Sequence, residues 1–164
     1  MRTILGIDPG SRLTGYGVLQ AQGNNFIRLS HGVIKLGNLP MPNRLARLID
    51  QLDALIAEHQ PDTLSIEQVF VHKNVQSALK LGQARGCALA ICARHGLSVY
   101  EYSPRSIKQA VVGHGGADKN QVQLMIQKIL KMPTKPASDA ADALAAALCH
   151  AFQPAWLLQQ KEHS

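Results

Sequence analysis

Long apolar stretches are absent from this sequence. No segment reaches the roughly 18 apolar residues of a membrane-spanning helix, and the short apolar run before Asp8-Pro9-Gly10 does not resemble a secretory signal. We therefore expect no membrane segment and a cytosolic protein.

Cysteine is scarce. Cys87, Cys92 and Cys149 are odd in number and form no CxxC pair, which argues against a disulfide framework. Each lies in an Ala-rich apolar setting, so we expect buried, reduced thiols.

Acidic residues are rare in the middle of the chain. From Gln68 to Ser138 there are ten Lys or Arg and only two acids, Glu101 and Asp118, within a protein of formal charge +6. The basic residues are dispersed, which indicates a folded surface rather than a disordered tail. This surface favours a polyanionic partner, although a small basic protein can carry such charge without one.

The length of 164 residues leaves room for one domain. We predict a single domain over 1–152 and a frayed tail over 153–164.

The pattern of apolar residues predicts an α/β fold with a five-stranded mixed sheet flanked by helices. Three strands joined by tight turns form an antiparallel meander, and two later strands, reached through helices, run parallel. The predicted strands are 2–8, 14–21, 26–36, 63–67 and 97–102.

Helical periodicity alternates with these strands. The predicted helices are 43–59, 75–94, 105–112, 118–130 and 138–152. Ser103 is a suitable cap for the third helix and Ser138 for the last.

Two acids stand where buried strands end. Asp8 follows Ile4, Leu5 and Ile7, and Glu67 closes the fourth strand. If these strands are adjacent and parallel, the two carboxylates lie side by side. Asp8 before Pro-Gly is alternatively a simple turn former.

The last helix carries two more acids. Asp139 and Asp142 are three residues apart and share a face, while Ala140–Leu148 is otherwise only Ala and Leu. A helix that is apolar nearly all round is normally buried, where carboxylates are costly unless a cation compensates them. Alternatively, both acids face water near the helix N-terminus.

Four converging carboxylates would repel one another unless metal ions held them. Hard oxygen ligands suit Mg²⁺ or Mn²⁺ rather than zinc. Together with the basic surface, they indicate two-metal phosphodiester hydrolysis.

Several blocks in this order closely resemble the RuvC family of bacterial Holliday-junction resolvases, over about residues 2–152. The blocks are Gly6-Ile7-Asp8-Pro9-Gly10, Thr14-Gly15-Tyr16-Gly17, Ile66-Glu67-Gln68-Val69-Phe70, 77–86, 104–108, Ala117-Asp118-Lys119 with Gln121-Val122, and Asp139-Ala140-Ala141-Asp142-Ala143-Leu144-Ala145.

The resemblance implies a ribonuclease H-like fold and a homodimer that makes paired, symmetric nicks in four-way DNA junctions during recombination and repair. It implies Mg²⁺, two ions per subunit and replaceable by Mn²⁺, and cooperation with the RuvA and RuvB branch-migration proteins. The family's catalytic, metal-binding acids fall on Asp8, Glu67, Asp139 and Asp142.

Four further residues are candidates for contacting DNA. By resemblance, Phe70 stacks on a base near the branch point, although a core Phe is an alternative. Lys73 lies in the adjoining polar segment, which is typical of an exposed loop. Lys108 and Lys119 resemble basic residues near the scissile phosphate, and solvated lysines are the alternative.

Two other classes of protein deserve comparison. An ATP-binding protein of the actin and sugar-kinase type also places an acid after its first strand, but it needs two such lobes. A non-catalytic junction binder gains nothing from concentrating negative charge where phosphate must approach.

Arg85 is expected in an ion pair or a dimer contact, and His114 is expected to be an exposed loop residue.

Overall fold

The computed structural model describes residues 1–69 and 74–154, in which one mixed sheet is flanked by helices on both faces. The strands are β1 (Arg2–Asp8), β2 (Leu13–Gln22), β3 (Asn25–Lys35), β4 (Thr63–Glu67) and β5 (Ser98–Tyr102). The helices are α1 (Met41–His59), α2 (Val75–Arg94), α3 (Pro104–Val112), α4 (Lys119–Ile129) and α5 (Ser138–Ala151).

The sheet has the predicted arrangement. Its strand order is β3-β2-β1-β4-β5, with β1, β2 and β3 antiparallel and β4 parallel to both β1 and β5. A two-residue turn joins β2 to β3, and Gly23 takes its left-handed position with φ 57°. The predicted order of three antiparallel and two parallel strands is therefore confirmed.

Helix α1 provides the crossover that makes β4 parallel to β1. Leu48, Leu52 and Ile56 recur at helical spacing and are buried in the core between the sheet and α2. The helix begins at Met41, two residues before the predicted start, because Pro42 fits the first turn of a helix.

Helices α3, α4 and α5 cover the other face of the sheet. All residues of α5 from Ala143 to Ala151 are buried, as its apolar sequence predicts. The prediction that Ser138 caps this helix is wrong: Ala137 is the N-cap, and the buried hydroxyl of Ser138 has no hydrogen-bond partner in the described part of the chain.

The expectation of buried, reduced thiols holds for Cys92 and Cys149, but the predicted burial is wrong for Cys87, which is only half-buried. All three are free, and burial raises the pKa of Cys92 to about 12 and that of Cys149 to about 11. Across 1–69 and 74–154, none of the helices combines the length and apolar character needed to cross a membrane.

Candidate active site

Asp8 and Glu67 are neighbours at one edge of the sheet. Ile7 pairs with Ile66 in the parallel β1–β4 ladder, so the next residue of each strand carries a carboxylate at the same level. The turn after Asp8 is held by Thr14, whose buried hydroxyl donates to the carbonyl of Gly10 at 3.1 Å and accepts from its amide at 3.3 Å. This arrangement fixes where β1 ends.

The acid-bearing helix reaches the same place. Asp142 of α5 lines a cleft of about 290 Å³ together with Asp8 and Glu67. Asp139 does not line the cleft, although its charge raises the pKa of both Asp8 and Asp142. The four predicted acids therefore share one electrostatic environment, and three of them form the wall of the cleft.

The pKa of Asp8 is displaced furthest among these acids. Burial raises it from its usual 3.8 to about 8, helped by the charges of Asp142 and Glu67. Asp139 adds a smaller increase, and Lys119 opposes it. A buried carboxyl surrounded by like charges holds its proton unless a cation compensates the charge.

The other two acids of the cleft are shifted in the same direction. Burial is the largest cause of the raised pKa of Glu67 and of Asp142. The charge of Asp142 raises the pKa of Glu67 further, whereas Lys108 and Lys119 lower the pKa of both acids. The two lysines are thus close enough to act on the carboxylates.

Lys108 and Lys119 line the cleft from two different helices. Lys108 is half-buried on α3, and Lys119 is the exposed first residue of α4. Asp118 fixes the start of α4 through a reciprocal capping box with Gln121. The sequence predicted both lysines as site residues, and the structure brings both to the acids.

An apolar wall completes the cleft, and the sequence did not identify it as part of the site. It consists of Pro104, Ile107, Val122 and Ala145. They come from α3, α4 and α5, and although all four fall in the blocks that resemble the family, their apolar side chains gave no chemical reason to assign them to the site. Their apolar side chains contribute to the buried surroundings that raise the pKa of Asp8.

The donor set fits hard divalent cations. Carboxylate oxygens are the ligands that Mg²⁺ prefers, and burial with mutual repulsion is the condition that such a cation relieves. Within the described ranges, no three His, Cys, Asp or Glu side chains already form a preassembled metal site.

Arg85 forms an ion pair, one of the two roles expected for it, and also contacts the backbone next to the site. Its guanidinium is 2.5 Å from the carboxylate of Glu101, and its Nε donates to the backbone carbonyl of Glu67 at 3.4 Å. This backbone contact could not be read from sequence, because it joins α2 to the end of β4. His114 is exposed, as predicted, and does not line the cleft.

Two predicted DNA-contacting residues lie outside the described residues. Phe70 and Lys73 belong to 70–73, which follows the end of β4 closely.

A family profile and curated relatives point to the same protein family. The profile of the family described as "Crossover junction endodeoxyribonuclease RuvC" matches residues 4–150. A curated protein of that description from Vibrio cholerae serotype O1 is 56% identical over 151 residues, which are 92% of this chain and 87% of the relative.

Solved structures agree with this result. The structure entitled "T. thermophilus RuvC in complex with Holliday junction substrate" has a TM-score of 0.87 and 34% identity, covering 93% of this chain and 94% of that one. The yeast mitochondrial Holliday junction resolvase Ydc2 is 17% identical with a TM-score of 0.67, covers 98% of this chain and 80% of its own, and shares the fold. The ribonuclease H-like fold expected from the sequence is confirmed.

Proposed function

Because the chain belongs to the RuvC family of crossover junction endodeoxyribonucleases, we propose that it resolves four-way (Holliday) DNA junctions by hydrolysing phosphodiester bonds in recombination and repair. The observation that carries the proposal is the meeting of Asp8, Glu67 and Asp142 with Lys108 and Lys119 in one cleft. Acids and cations in this combination suit hydrolysis of a phosphodiester.

Asp8, Glu67, Asp139 and Asp142 would hold two Mg²⁺ per subunit, and Mn²⁺, with the same preference for oxygen, is expected to substitute. When bound, the metal ions supply an activated water and stabilise the leaving 3′-oxygen. The raised pKa values of Asp8, Glu67 and Asp142 support this assignment, since a bound cation offsets both the burial and the repulsion between carboxylates that raise them.

The lysines contribute to holding the DNA. An ammonium group near the acids attracts the phosphate that the carboxylates would otherwise repel. Lys119 is the stronger candidate, because its charge acts on Asp8, Glu67 and Asp142, whereas Lys108 acts on the last two.

Phe70 and Lys73 are proposed to contact DNA next to the acids. By family resemblance, they are candidates for contacting a junction whose phosphate occupies the cleft, and they follow Glu67 by three and six positions in the sequence. Stacking of Phe70 on an unpaired base would favour branched DNA over duplex.

Paired nicks require two sites, so we propose a homodimer that works with RuvA and RuvB in the cytoplasm, where chromosomal junctions arise. Light scattering at working concentration tests the dimer, and a monomer there would contradict the paired-nick mechanism.

The experiment for the proposed function compares a labelled mobile four-way junction with a linear duplex of the same sequence, in Mg²⁺ and in EDTA. We expect symmetric nicks in the junction only, lost in EDTA. Tight junction binding without nicks in Mg²⁺ or Mn²⁺ would favour a non-catalytic junction binder instead.

Substituting Lys119 tests whether its charge assists nicking. We expect Lys119→Gln to lower the nicking rate by about 10²-fold, because it removes a cation beside the phosphate. Lys128→Gln is the matched control, since Lys128 is exposed on the same helix and is not among the cleft residues. Single-turnover rates measure the effect, and equal losses in both variants would contradict the assigned role.

A further inference from the structure

Helix α5 lies unusually close to the sheet. A Cβ atom added to Gly15 would overlap the carbonyl oxygen of Asp139, and one added to Gly6 would overlap the carbonyl oxygen of Ala143. These obstacles are backbone atoms, which cannot rotate away. The absence of side chains at the two glycines therefore sets how closely the helix approaches the strands.

The same two positions are linked to the acids by the strand register. Gly15 pairs with Asp8 across β1 and β2, and Gly6 pairs with Ser65 across β1 and β4. The close contacts are thus at the level of Asp8 and at the level of Gly6, two residues before it on β1. Any outward movement of α5 at Gly15 would move Asp139 and Asp142 away from Asp8.

Ser65 attaches the helix to the next strand. Its fully buried hydroxyl donates to the backbone carbonyl of Ala146 at 2.6 Å. Ala146 lies one turn after Asp142 on α5, and Ser65 lies two residues before Glu67 on β4. This hydrogen bond therefore fixes the position of Asp142 on α5 relative to Glu67 on β4.

The far end of α5 has its own attachment on β5. The hydroxyl of Tyr102 is 2.8 Å from Nδ1 of His150. From Asp139 to His150 the helix advances 11 residues (150 − 139), or about 16 Å. This length matches the roughly 14 Å between β2 and β5, three strand spacings apart, so α5 crosses the strands steeply.

We propose that Gly15, Gly6 and Ser65 are positioning residues that set the distance of α5 from the sheet and so place Asp139 and Asp142 opposite Asp8 and Glu67. The inference rests on the proposed function, in which these acids share metal ions. A displacement of about 1 Å at such a site can cost about 10²-fold in rate, although none of the three residues touches the substrate.

Two substitutions test the proposal at different severity. Gly15→Ala forces the N-terminal end of α5 outward, and Ser65→Ala removes only the hydroxyl that bonds Ala146. We expect the half-saturating Mg²⁺ concentration for nicking to rise at least tenfold in Gly15→Ala and about threefold to tenfold in Ser65→Ala. The stabilisation of the protein by Mn²⁺ against thermal unfolding should fall in the same order, while junction binding without metal stays unchanged.

Two controls separate positioning from general loss of stability. Gly32→Ala is the same change in the neighbouring strand β3, but its Cβ would meet the ring of Tyr16, a side chain that packs in the core on the face of the sheet away from α5. Leu148→Ala leaves a cavity at the end of α5 away from the acids. Both should unfold at lower temperature than the native protein and keep its Mg²⁺ dependence.

The outcomes distinguish this inference from the proposed function. If the native protein makes metal-dependent nicks and Ser65→Ala and Gly15→Ala match its Mg²⁺ midpoint and Mn²⁺ stabilisation, the positioning role is wrong and the function stands. If Gly15→Ala does not fold, Ser65→Ala decides alone. A native protein that makes no nicks in either metal overturns the proposed function, and with it this inference.

Discussion

Replacing Asp8 by Asn is expected to lower junction nicking by at least about 10³-fold, about 4 kcal/mol of transition-state stabilisation. Asn keeps the shape of the side chain but removes the charge that a metal ion needs at the centre of the acid cluster. Junction binding should persist or strengthen, because a negative charge leaves the surface that phosphate approaches.

The control for this substitution is Asp50→Asn, the same chemical change at an exposed position of α1 that does not line the cleft. It should nick junctions at the native rate. Single-turnover cleavage and an electrophoretic binding assay measure the two quantities separately. Normal cutting by Asp8→Asn would show that the acids have been assigned wrongly.

The second large effect is on stability in the absence of metal. The pKa of Asp8 is about 8 in the folded protein against a usual 3.8, so the folded state holds a proton that the unfolded state has released between these pH values. The free energy of unfolding therefore decreases as the pH rises through this interval. Glu67 and Asp142, whose pKa values are also raised, act in the same direction.

Asp8→Asn should remove this penalty. In a chelating buffer we expect the variant to unfold at a higher temperature than the native protein at pH 8, by about 3 °C or more, and by less at pH 5. Differential scanning calorimetry at several pH values measures the difference, and saturating Mn²⁺ should reduce or reverse it. A difference independent of pH would mean that the Asp8 carboxyl is not held in a repulsive, buried environment.

The sequence was most informative where local pattern and topology agree. The apolar run before Asp8 and the helical crossover before β4 predicted adjacent parallel strands, and that pairing brings Asp8 and Glu67 together. The apolar character of α5 predicted that the residues around Asp142 are buried, because a helix without a polar face must be covered by other elements.

The remaining features depend on long-range packing that no local pattern encodes. The contact of Arg85 with the backbone of Glu67 and the close approach of α5 to Gly15 both join elements distant in sequence. Long-range packing of α5 also decides that Asp142 lines the cleft whereas Asp139 does not. At Ser138 the local pattern predicted too much. Serine is a favourable capping residue, but Ser138 is the first residue inside the helix, and its hydroxyl does not cap the helix.

The DNA-contacting role of Phe70 and Lys73 remains a prediction from family resemblance. Both lie in 70–73, outside the described residues, so substituting each one and measuring junction binding tests the role.

The most direct test of the metal-binding cluster is a diffraction experiment on crystals soaked in Mn²⁺, recorded with its anomalous signal. We expect peaks between Asp8, Glu67 and Asp142, in direct contact with their carboxylate oxygens, that are absent from crystals of Asp8→Asn. Crystals of the native protein that bind Mn²⁺ only elsewhere, or not at all at millimolar concentration, would contradict it.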